Sequence, residues 1–158
     1  AFKLDTPSAV RYPRGGGPGV PIQKEMQALP VGRGEIRRQG EKVAFLAFGS
    51  MLTPCLEAAE VLNATVANMR FIKPLDDYLV ASLADSHDLL VTVEENTVMG
   101  GAGSAVAESL NSQRINVKVL HLGLPDVFID QGDHAQMLAD CGLDKNGLIK
   151  SVRSMLPE

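Results

Sequence analysis

Val43-Ala44-Phe45-Leu46-Ala47-Phe48 is an unbroken apolar run between Glu41-Lys42 and Gly49-Ser50. Side chains alternate between the two faces of a strand, so six apolar residues in a row describe a strand covered on both sides. Such strands occur in parallel sheets with helices on each face. The flanking sequence repeats the signal. Ala64 to Met69, Leu89 to Val93 and Val117 to Leu122 read as further short strands, separated by stretches with helical spacing. Leu52, Leu56, Ala59 and Leu62 form one helical stripe, with Thr53 expected as N-cap and Pro54 as the first helical residue. Leu75, Leu79 and Leu83 recur at four-residue spacing, with Asp76 and Asp77 near the positive helix start. Ala102, Val106 and Leu110 mark another helix. Two short helices end the pattern, Asp133 to Asp140 and Asp144 to Leu156, each opening on an Asp N-cap. Gly142 stops the first, and Leu148, Val152 and Met155 face inward on the second.

Gly34 to Arg38 reads as a polar strand that reaches the central run through only Gln39 to Glu41. A link that short cannot make a parallel crossover and suits an antiparallel hairpin. The expected fold class is therefore α/β, a three-layer α/β/α domain. Its sheet has about five strands, mostly parallel with one antiparallel.

Upstream, Ser8 to Tyr12 is a short extended run stopped by Pro13. Gly15, Gly16, Gly17, Pro18, Gly19, Pro21 and Pro30 then punctuate a stretch that holds neither a helix nor a long strand. Residues 1–14 read as the terminal strand of a preceding domain that is otherwise absent. Residues 15–30 read as a linker and 31–158 as the α/β domain. The chain opens on Ala rather than Met, which suggests an N-terminus removed or never included.

The 158 residues suffice for one domain and a short extra piece. No apolar run approaches the ~18 residues of a membrane span. A net charge of −4, with no Lys or Arg block longer than two, argues against a dedicated nucleic-acid or membrane surface. Cys55 and Cys141 are too few for a disulfide framework or zinc site, which fits a reducing cytoplasm.

Several residues bear on chemistry. Gly100-Gly101-Ala102-Gly103-Ser104 lies between strand and helix, where phosphate cradles occur, but lacks the P-loop Lys and the full dinucleotide fingerprint. The simpler reading is that these glycines let the helix lie close to the sheet. Glu94 and Glu95 end a strand at its functional edge, yet alternation points them to opposite faces. An acid/base pair is thereby disfavoured; one suits capping the next turn and the other an interface. His87, His121 and His134 show no metal-ligand spacing, and Cys55 and Cys141 read as packing residues. There is no Gly-x-Ser-x-Gly nucleophile elbow. Arg33, Arg37, Arg38 and Lys42 read as a solvated edge that discourages strand pairing. Arg14 stands apart. It follows Tyr12-Pro13 and precedes three glycines, and a planar guanidinium beside bare backbone amides suits a phosphate dianion or an interdomain salt bridge.

These residues also carry a resemblance. Ser8-Ala9-Val10-Arg11-Tyr12-Pro13-Arg14-Gly15 is similar to the end of the pyrimidine-binding domain in the 1-deoxy-D-xylulose-5-phosphate synthase family. Asn68-Met69-Arg70-Phe71-Ile72-Lys73-Pro74-Leu75-Asp76 resembles a stretch shared by transketolase-like C-terminal domains. Val93-Glu94-Glu95-Asn96, Met99-Gly100-Gly101-Ala102-Gly103-Ser104 and Leu122-Gly123-Leu124-Pro125-Asp126 with Phe128-Ile129 resemble the synthases in particular. The resemblance spans essentially the whole chain.

It implies the C-terminal part of a thiamine-diphosphate- and Mg2+-dependent transferase, a three-domain homodimer. The parent condenses pyruvate with glyceraldehyde 3-phosphate, with loss of CO2, to 1-deoxy-D-xylulose 5-phosphate, a precursor of isoprenoids, thiamine and pyridoxal. By position Arg14 corresponds to the residue that holds the aldehyde's phosphate. The family's Gly-Asp-Gly…Asn element and its catalytic Glu have no counterpart here, since Gly132-Asp133 is followed by His134. The chain alone is therefore expected to bind no cofactor and to be inactive, with no catalytic, cofactor or metal residue of its own. The alternatives are the C-terminal domain of another thiamine-diphosphate enzyme (a 2-oxo-acid dehydrogenase β chain or a transketolase) and a stand-alone dimerisation or interaction module. A flavodoxin-like nucleotide binder is weakened because Gly49-Ser50 stands alone where a phosphate loop would follow the first parallel strand.

Overall fold

Between residues 43 and 124 strands alternate with helices. The computed structural model describes residues 4–10, 12, 19, 21 and 24–156. In order come β1 (Glu35–Arg38), β2 (Val43–Ala47), α1 (Leu52–Leu62), β3 (Thr65–Asn68), α2 (Asp77–Ser86) and β4 (Leu89–Thr97). They are followed by α3 (Ala102–Ser112), β5 (Lys118–Leu124), α4 (His134–Asp140) and α5 (Lys145–Met155). The sheet order is β1-β3-β2-β4-β5. All pairings are parallel except β1 with β3.

The all-apolar run explains this order. Every residue of β2 is buried, with β3 and β4 on its two edges. Its odd positions, Val43, Phe45 and Ala47, join Val66, Val91 and Val93 in a core under α1 and α5. The even positions, Ala44 and Leu46, join Met69, Val80, Leu90 and Val106 under α2 and α3. One sheet with a core on each face is the expected three-layer arrangement.

The antiparallel strand is where it was expected, but its neighbour is not. β1 pairs with β3 rather than forming a hairpin with β2. Both edges of β2 are occupied by parallel partners, so the short link must step across the amino end of β3 to the outside. Gly40 makes the step possible, because a side chain there would collide with the backbone of Asn63 and Ala64. Its N–H donates to Thr65 Oγ1 at 3.0 Å.

Other expectations shift locally. α1 begins at Leu52 after a 3-10 turn over Gly49–Met51, so Thr53 lies inside the helix and caps nothing. Gly49 opens that turn at φ +62, where glycine is favoured. Cys55, Ala58 and Ala59 are the fully buried face of α1, while Leu52, Leu56 and Leu62 pack at its margin. Small residues at the centre let the helix axis approach the sheet. β4 runs on to Thr97. Met155 is exposed, leaving Leu148 and Val152 as the buried stripe of α5. Asp133 and Asp144 cap α4 and α5 as read from the sequence.

Candidate functional site

The carboxyl ends of β2, β4 and β5 bring together Glu94, Glu95, the glycine-rich loop and His134 from the residues singled out in the sequence. Alternation along β4 places Glu94 and Glu95 on opposite sides of the sheet. Glu94 is buried beneath the first turn of α3, where its two carboxylate oxygens accept the N–H groups of Ala102 at 2.7 Å and Gly103 at 2.8 Å. A buried carboxylate is tolerable when charge-assisted bonds and a helix N-terminus compensate it. The amides that could have cradled a phosphate are therefore already engaged. The glycines serve close packing. A side chain on Gly101 would meet the Glu94 carboxylate, and one on Gly103 would sit 2.6 Å from His121 Nδ1 and 2.7 Å from Thr92 Oγ1.

His121, on β5, stands beside Glu94 and Thr92 on the same face. Its Nδ1 lies 2.7 Å from Thr92 Oγ1. Burial holds its pKa below the ordinary histidine value, against the opposing pull of the Glu94 charge. The imidazole is thus a neutral packing group. Among the described residues no group of three or more His, Cys, Asp or Glu is placed to hold a metal ion.

On the other face Glu95 accepts the Ser50 hydroxyl and lies 2.7 Å from His134 Nε2 at the start of α4. Sequence reasoning did not connect these three, because they come from a 3-10 turn, a strand and a helix start and share no spacing. Both Ser50 and His134 address the carboxylate and neither addresses the other. With the Ser50 proton directed at Glu95, this is no nucleophile relay of the hydrolase kind. Cys55 is equally unreactive, since complete burial drives its thiol pKa far upward.

The family-like stretch ending at Asp76 also has a structural task. Asp76 is buried, caps α2 through Leu79 N–H at 3.1 Å and accepts Gly34 N–H at 2.9 Å. It so joins the entrance of β1 to α2. The basic cluster lies on and beside the edge strand as expected, but it is not simply solvated. Arg38 donates to Ala64 O at 2.6 Å and to Glu60 at 3.2 Å, Arg33 approaches Asp76, and Arg37 approaches Glu35. His87 ends α2, its Nδ1 2.9 Å from Leu83 O and its Nε2 2.8 Å from Thr65 Oγ1. Arg14 lies outside the described residues.

Residues 32–148 match the family model described as transketolase, C-terminal domain. The chain belongs to the transketolase C-terminal domain family. Within that family it is similar to proteins named 1-deoxy-D-xylulose-5-phosphate synthase. It is 71% identical to that of Nitrosomonas europaea over 97% of this chain and 25% of the relative. To that of Nitrosospira multiformis it is 70% identical, over 100% and 26%. The chain thus spans about a quarter of the length of these relatives. Among solved structures, a split-gene transketolase described as an inactive β4 tetramer is 34% identical, with a TM-score of 0.76 over 87% of this chain and 47% of its own. A transketolase from Campylobacter jejuni shares the fold, with a TM-score of 0.54 at 19% identity over 77% of this chain and 18% of its own. In this transketolase C-terminal domain, then, the glycine-rich loop, Glu94 and Asp76 act as architecture.

Proposed function

We propose that this chain is the C-terminal part of a 1-deoxy-D-xylulose-5-phosphate synthase. The parent joins pyruvate to glyceraldehyde 3-phosphate with loss of CO2. The observation that carries this reading is the 70–71% identity to synthases over nearly every residue of the chain. On this reading residues 1–14 close a pyrimidine-binding domain, 15–30 form a linker, and the parent is a homodimer requiring thiamine diphosphate and Mg2+.

The described residues do not fit that cofactor. The Asp133 carboxylate, in the only Gly-Asp pair, is engaged by the N–H groups of Ala135 and Gln136, and Glu94 is enclosed under α3. The reactive chemistry is accordingly assigned to the rest of the parent, and the chain alone to an inactive scaffold. What residues 1–31 add is Arg14, whose guanidinium, beside Gly15, Gly16 and Gly17, would grip the phosphate of the aldehyde substrate.

Two measurements test this. The full-length protein should form 1-deoxy-D-xylulose 5-phosphate from the two substrates with added thiamine diphosphate and Mg2+; no product would overturn the assignment. The 158-residue chain should show no saturable heat of thiamine diphosphate binding by calorimetry. Clear saturation would place cofactor machinery within it.

A further inference from the structure

The ring of His87, at the carboxyl end of α2, faces oxygen atoms on both sides. Nδ1 lies 2.9 Å from Leu83 O and 3.0 Å from Ser86 Oγ. A carbonyl only accepts, and the Ser86 hydroxyl already donates to Ser82 O at 2.9 Å, so Nδ1 carries a hydrogen. Nε2 lies 2.8 Å from Oγ1 of the buried Thr65. That hydroxyl also serves Gly40, accepting its N–H at 3.0 Å and standing 3.2 Å from its carbonyl oxygen. A hydroxyl has a single hydrogen and two lone pairs. The Thr65 hydrogen therefore has two competing acceptors, Gly40 O and the Nε2 of a neutral ring. The charge on His87 decides between them. A neutral ring with its hydrogen on Nδ1 takes the Thr65 hydrogen and leaves Gly40 O to the solvent. An imidazolium instead donates from Nε2, fills the second lone pair of Thr65 Oγ1 and sends the hydroxyl hydrogen to Gly40 O. Every donor and acceptor of the set is then paired.

We propose that His87 and Thr65 form a proton-operated fastening for the link that carries β1 to the outside of β3, in which protonation of the ring ties both the N–H and the C=O of Gly40 to Thr65. No covalent bond changes. The incoming proton comes from solvent and stays on Nε2, and the hydroxyl only turns. Solvent reaches the ring because His87, with Ser82, Ser86 and Thr65, lines a cleft of about 350 Å³. Lys42 and Glu41, opposite in sign, line the same cleft from the link. Asp85 and Asp88 flank the ring along the chain, and β3 carries no charged residue. From β1 comes Ile36, while Arg38 is turned to Ala64 O and Glu60. The last carbonyls of α2 favour a cation at this helix end. Gly40 is where a fastening matters, since the link turns there against the backbone of Asn63 and Ala64 and β1 beyond it has β3 as its only neighbour in the sheet. The inference is independent of the synthase reading.

Hydrogen exchange of the whole polypeptide, read by mass spectrometry on peptides spanning Ile36 to Lys42, tests it. Corrected for the intrinsic rate, protection there should rise about fivefold between about pH 8 and about pH 5, the range in which a histidine changes charge and the worth of one further hydrogen bond. Peptides from β5 should show no such rise. His87→Gln removes the titrating ring and Thr65→Val the hydroxyl, so each should abolish the rise. Thr65→Ser keeps the hydroxyl and should keep the rise. A rise that survives in Thr65→Val would overturn the inference, because the ring charge would then act without the hydroxyl. Wild type and Thr65→Ser carry the test even where the other two variants fold poorly. Equal protection at the two pH values in either of them would overturn the inference as well.

Discussion

Glu94 and Gly103 are joined by a 2.8 Å hydrogen bond from the glycine N–H to the buried carboxylate, and the two need one another. The carboxylate tolerates burial because the helix N-terminus supplies donors. The helix comes near enough because residues 101 and 103 carry no side chain.

Removing the acceptor should therefore be expensive. Glu94→Ala leaves two helix N–H groups without partners, and two charge-assisted bonds of this kind suggest a loss of about 3 kcal/mol. Urea unfolding of the domain would measure it. A change under about 0.5 kcal/mol, the size usual at indifferent surface positions, would show that the carboxylate contributes nothing net.

Gly103→Ala inserts a methyl group against His121 and Thr92. Overpacking at such a contact costs about 1–3 kcal/mol. Because His121 supplies the nearest atom, the double variant with His121→Ala should lose less than the sum of the single changes. Strict additivity would separate the two sites.

His121 gives a pH dependence whose sign follows from its environment. Burial lowers its folded-state pKa beneath the ordinary 6.5, so below that value the unfolded chain binds protons more readily. The stability contributed by the neutral ring is complete above about pH 6.5 and is lost as pH falls through the lower folded value. In His121→Asn the stability profile between pH 7 and pH 5 should be flatter than in the wild type. An unchanged slope would assign the loss to other groups.

Asp76→Ala should cost about 2–3 kcal/mol, since a helix cap and the bond to Gly34 N–H vanish together. Hydrogen exchange should quicken in β1 and the first turn of α2 and stay slow in β5. Uniform acceleration would deny the local role.

On the proposed synthase reading, Arg14→Ala in the full-length protein should raise KM for glyceraldehyde 3-phosphate roughly 10- to 150-fold, as expected for losing a guanidinium–phosphate contact of about 1.5–3 kcal/mol. KM for pyruvate should hardly move. Equal effects on both substrates would remove Arg14 from the phosphate site.

Legibility followed the range of the interaction. Fully apolar β2, the caps Asp133 and Asp144, and Gly142 at φ +70 depend on neighbours within a few residues, and each was readable along the chain. The opposed directions of Glu94 and Glu95 were readable too, because strand alternation is local. Their partners were not. Ala102, Ser50 and His134 lie 8, 45 and 39 positions away, and no periodicity links them.

By itself the sequence determined the α/β class, the antiparallel sense of β1 and the family, since backbone propensity, burial pattern and extended identity are properties of the linear chain. Tertiary structure alone decided that β1 lies outside β3 and that the glycine loop encloses a carboxylate. Those outcomes depend on which surfaces remain free once β2 is surrounded, and that competition is settled in space.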